Sequence, residues 1–107
     1  MPAPYPEERH LCLDMLRVNW ETPAGAKTHS ECAILLEIWS SGGLFQTGSA
    51  IPEGSPVIIA AASGAVHAHV SRCEQDDYGF IVQIAVDSPE GWFPAAYNPA
   101  YLSACIP

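Results

Sequence analysis

Apolar and polar residues alternate along most of this chain with the two-residue period of a β-strand, and no long stretch carries a helical period. The pattern is cleanest from Tyr78 to Asp87: Tyr78, Phe80, Val82, Ile84 and Val86 share one side, with Gly79, Gln83, Ala85 and Asp87 on the other. From Ala65 to Cys73, Val66, Ala68 and Val70 form an apolar face, while His67, His69 and Ser71 point outward. From Cys32 to Ile38 the even positions Cys32, Ile34, Leu36 and Ile38 are all apolar, so that face is expected to be buried. Glu31, Ala33, Leu35, Glu37 and Trp39 make the other face mixed. The first strand, Arg9 to Trp20, divides its apolar residues between two faces. Leu11, Leu13 and Met15 lie on one, and Leu16, Val18 and Trp20 on the other, which predicts a bulge or face change near Asp14 to Leu16. Shorter strands are expected at Leu44 to Thr47 and Val57 to Ala61.

Turn signals separate these runs: Glu21-Thr22-Pro23-Ala24-Gly25, Ser40-Ser41-Gly42-Gly43, Ile51-Pro52-Glu53-Gly54-Ser55-Pro56, Ser63-Gly64 and Gln75-Asp76-Asp77. Many short strands punctuated in this way predict an all-β fold, a small antiparallel barrel or closed sandwich. Residues 1–8 are proline-rich and acidic and read as a flexible arm; residues 9–107 form one domain with no internal repeat. After residue 88 the character changes. Trp92-Phe93-Pro94 is a bulky apolar segment expected to plug one barrel opening. Asn98-Pro99 is a good helix start, predicting a short C-terminal helix with Tyr101, Leu102 and Cys105 on one side.

Composition narrows the possible partners. The chain has 107 residues, 49% of them hydrophobic, with twelve acids against four Lys and Arg and a formal net charge of −8. Nucleic acids and anionic membrane surfaces require clustered cations, so neither is an expected partner. The longest apolar run, Pro56 to Ala62, is too short to cross a bilayer, and no signal-peptide pattern opens the chain, so the cytoplasm is the expected compartment. Cys12, Cys32, Cys73 and Cys105 match no zinc-ligand spacing and read as small buried hydrophobes in a reducing environment.

The order of corner, glycine turn, strand and hairpin resembles the PilZ domain family. The likeness rests on Ser40-Ser41-Gly42-Gly43-Leu44, on Pro52-Glu53-Gly54-Ser55-Pro56-Val57, and on Val70-Ser71-Arg72-Cys73-Glu74 ahead of Tyr78-Gly79-Phe80. It covers roughly Arg9 to Val86. The resemblance implies a barrel in a bacterial signalling pathway that binds the second messenger cyclic di-GMP. In the family, an Arg-x-x-x-Arg arm and an (Asp/Asn)-x-Ser-x-x-Gly corner hold the ligand. Carried onto this sequence, the ligand-binding positions are Arg9, Ser40 and Gly43. The second arginine is missing, with Leu13 or Tyr5 in its place, and Ile38 stands where the acid or amide belongs. Each bond to a charged group contributes roughly 1.5–3 kcal/mol, so the two losses cost about 3–6 kcal/mol. A binder at about 1 μM would weaken to roughly 100 μM–10 mM.

The expected function is therefore that of a stand-alone, non-enzymatic PilZ-like module acting through a protein partner or a second copy of itself. Weak or non-standard cyclic di-GMP binding is the alternative. Trp39 and Glu37, placed outward by the alternation, are the candidate interaction patch. A third reading builds a metal site on His67 and His69, with Cys73 at the same strand parity. No catalytic group is expected. Ser40 and Ser41 lack a Gly-x-Ser-x-Gly elbow, and their hydroxyls suit bonds within their own turn.

Overall fold

The computed structural model describes residues 10–21, 27–61, 64–88 and 92. Six strands form in chain order: β1 (His10–Glu21), β2 (Thr28–Trp39), β3 (Gly42–Thr47), β4 (Pro56–Ala61), β5 (Gly64–Asp76) and β6 (Gly79–Val86). Every pairing is antiparallel, and the order β1-β2-β3-β6-β5-β4 closes on itself as a barrel. The expectation of a small all-β barrel is met in these residues. The flexible arm at 1–8, the helix after Asn98, and Arg9 lie outside them.

The alternating faces build the interior directly. Leu16, Val18 and Trp20 of β1, Val57 and Ile59 of β4, Val66, Ala68 and Val70 of β5, and Val82 and Ile84 of β6 meet in one buried cluster. The outward residues of β5, His67, His69 and Ser71, are exposed. The register of β1 against β2 shifts between Leu11 and Asp14, slightly earlier than the expected Asp14 to Leu16, but the two apolar sets stay apart: Leu11 is exposed and Met15 partly buried, while Leu16, Val18 and Trp20 are buried.

β2 departs from the sequence reading. Ala33 and Leu35 point into the cluster, whereas Cys32, Ile34 and Leu36 are only partly buried. An irregularity between Leu35 and Glu37 in the pairing with β3 then returns Ile38 to the interior. Four even-numbered apolar residues therefore do not share a face. One extra residue in a strand reverses the direction of everything beyond it.

Two loops are fixed in place, one by backbone bonds and one by a glycine. The 52–55 turn closes with the Ser55 amide donating to the Pro52 carbonyl at 3.0 Å. It also docks on β5, where the Gly54 amide donates to Val70 O (2.7 Å) and the Val70 amide to Ser55 O (2.9 Å). Next to this docking the register between β5 and β6 shifts between Val70 and Arg72. In the β5–β6 turn, Gly79 has φ +142°, and a Cβ there would lie 2.4 Å from Thr47 O. Only glycine fits that position without displacing backbone.

A candidate site at the β2–β3 corner

The corner joining β2 to β3 is where the resemblance located a ligand. Ile38 is fully buried and belongs to the interior cluster. Ser40 and Ser41 are exposed at the tip, and the Ser41 carbonyl accepts a bond from the Val86 amide at 2.8 Å. Gly42 and Gly43 are buried. A Cβ on Gly42 would come 2.2 Å from Ile84 O and 2.9 Å from the Trp39 indole nitrogen, so β6 and the Trp39 ring both press on this backbone.

Trp39 is 6% exposed and lies outside the interior cluster. The outward direction expected from alternation does not leave it open to solvent, because its ring lies against Gly42. Glu37, its companion in the candidate patch, is partly buried.

The feature that organises the corner is Trp92. Its indole is fully buried in the interior cluster, and its Nε1–H donates to Trp39 O (3.1 Å) and Gly42 O (2.9 Å). A Cβ on Gly43 would lie 3.2 Å from the indole. The two glycines thus leave room for β6 on one side and for a tryptophan on the other. Burying an indole contributes roughly 4–6 kcal/mol of apolar transfer, and pairing its N–H avoids leaving a buried donor unsatisfied. Trp92 was legible in the sequence as a barrel plug, but its partners were not, since they are backbone carbonyls.

Away from the corner, a cavity of about 260 Å³ opens where the end of β1 and the start of β4 meet His67 and Ala68 within β5. Trp20, Val57 and Ala68 form its apolar part, and Asn19, His67 and Asp87 its polar part. His69 Nδ1 lies 2.8 Å from Asp87 Oδ1, with both side chains about half exposed. Trp20 stacks on His29 at 5.4 Å between ring centroids. The register shift at Ser71 breaks the parity that placed Cys73 beside the histidines. Cys73 packs against the interior cluster, so a His67-His69-Cys73 set does not assemble. Among the described residues no group of three or more His, Cys, Asp or Glu side chains could hold a metal ion.

The cysteines also differ from the expectation of four reduced, buried hydrophobes. Cys73 is free and partly buried, while Cys32 is disulfide-bonded. Among the described residues no helix is long and apolar enough to cross a membrane. Comparison of the chain with protein-family models, curated proteins and solved structures finds no match.

Proposed function

We propose that this chain is a non-enzymatic, PilZ-like regulatory module of a bacterial signalling pathway that docks to a protein partner rather than binding cyclic di-GMP tightly. The observation that carries the reading is the filled corner. Ile38, at the position of the ligand-reading acid or amide, faces the barrel interior, and the corner's carbonyls are engaged by the chain's own Trp92. A closed antiparallel barrel of six strands is compatible with the resemblance. The net charge of −8 opposes a dianionic ligand and favours a partner that offers a basic surface.

Isothermal titration of the whole chain with cyclic di-GMP tests this. The expected result is no saturable heat at micromolar ligand. Saturable heat that disappears in Arg9→Ala overturns the reading in favour of nucleotide binding.

A further inference from the structure

We infer that the cavity at the β1–β4 seam is a binding site for a small organic cation with an apolar body, an aryl- or alkyl-ammonium of about ten non-hydrogen atoms. The site stands apart from the β2–β3 corner and does not depend on how that corner is read. Its place follows from the strand pairing. Asn19 lies opposite Ile58, and Ile58 opposite His67, so the three form one row across β1, β4 and β5. Ile58 is 39% exposed, whereas Val57 and Ile59 on either side of it are buried, which sets this row on the outer face of the barrel. The neighbouring row of Trp20, Val57 and Ala68 is buried and also borders the cavity. The seam goes no further: β4 begins at Pro56, which has no amide hydrogen to donate to another rung.

The lining sets the chemistry of the occupant. Trp20, Val57 and Ile58 supply apolar wall, and Asn19 and His67 supply groups that form hydrogen bonds. Two carboxylates border the cavity, Glu21 at the end of β1 and Asp87 after β6, and no Lys or Arg does. Asp87 is fixed in place: its amide donates to His67 O at 2.9 Å, and its Oδ1 lies 2.8 Å from His69 Nδ1. Arg17 and Lys27, the cations nearest along the chain, lie outside the lining, and Arg17 donates to Ser30 Oγ at 3.0 Å. An anion would therefore meet two like charges, and among the described residues no cluster of ligands suits a metal ion.

An ammonium group is attracted both by carboxylates and by the indole of a tryptophan, while its apolar body displaces water from Val57 and Ile58. The volume of about 260 Å³ falls just below the ~300–1,000 Å³ typical of ligand pockets, so the occupant is small. The formal net charge of −8 raises the local concentration of such a cation.

The test is a titration of the full chain with 2-phenylethylammonium chloride at neutral pH and low salt, followed by backbone amide chemical shifts. The expected result is a saturable shift with a Kd of about 0.1–1 mM, centred on Asn19 to Glu21, Ile58, His67 and Asp87. The neutral isostere 2-phenylethanol should bind at least about fivefold more weakly, and phenylacetate should not saturate. Glu21 and Asp87 are exposed, so Glu21→Gln and Asp87→Asn remove charge without disturbing the interior. Each should weaken binding about two- to fivefold, and the double variant about five- to twentyfold, with the amide spectrum of the free protein otherwise unchanged. No saturation up to about 10 mM, shifts centred elsewhere, equal binding of the alcohol and the ammonium, or unaltered affinity in the double variant overturns the inference.

Discussion

The β2–β3 corner and the mouth formed by β1, β4 and β5 are built from similar material to opposite effect. Both lie at strand ends, and each carries a tryptophan of the interior cluster, Trp92 at the corner and Trp20 at the mouth. At the corner, adjacent glycines let backbone, indole and the neighbouring strand approach closely, and the indole N–H bridges two carbonyls. At the mouth, Asn19, His67 and Asp87 border a cavity, Trp20 stacks on His29, and a half-exposed His69–Asp87 pair lies at the edge. The lesson is that the position of ligand-like residues along the sequence is a poor guide to where space remains. Residues resembling a binding motif surround a closely packed corner, while an open cavity lies among residues that resemble none.

Four substitutions would break or sharpen this contrast. The largest effect is expected from Gly42→Ala, whose methyl would stand 2.2 Å from Ile84 O. Backbone must move to admit it, so the loss should exceed about 3 kcal/mol in urea unfolding. A loss below about 1 kcal/mol would mean that the corner is not tightly closed. Next, Trp92→Ala should cost about 3–5 kcal/mol. Trp92→Phe keeps most of the apolar volume but removes the donor shared by Trp39 O and Gly42 O, and should cost about 1–3 kcal/mol. A neutral phenylalanine would reduce the corner's order to packing alone. The smallest effect belongs to the mouth. His69→Ala removes a half-exposed pair with Asp87 and should change stability by less than about 1 kcal/mol, and by still less in high salt. A larger, salt-independent loss would place mouth and corner on the same footing.

How much of this was legible in the sequence depended on whether one face of a strand was polar. In β5 and β6, histidines, glutamine and serine alternate with valine and isoleucine, and the buried faces were read correctly, except that Tyr78, assigned to the side of Phe80 and Val82, lies before β6 and is exposed. In β2 both faces are apolar between Cys32 and Leu36, so a period of two could locate the strand but not choose its inside. The irregularity between Leu35 and Glu37 then reversed Ile38, and no residue type there announces it. Trp39 was read as outward, but the ring's contact with Gly42 is set by a tertiary fold-back that alternation does not encode. The same limit applies to Cys73, moved off the histidine face by the shift after Val70. The candidate corner was found by its turn residues, whereas the cavity was not, because strands distant in sequence line it.

The β1–β4 seam has a consequence for how the protein behaves in a crowded solution. It joins the ring through three positions: Val18 to Ile59, Asn19 to Ile58 and Trp20 to Val57. While these rungs hold, Val18 to Trp20 and Val57 to Ile59 are not offered to another chain. Parting three rungs would uncover two edges at once, and that of β4 carries the β-branched run Val57-Ile58-Ile59, suited to templating a foreign strand. The short seam is therefore the place where concentration-dependent self-association would begin. The surplus of acidic side chains, which repel a second copy, is its built-in counterweight.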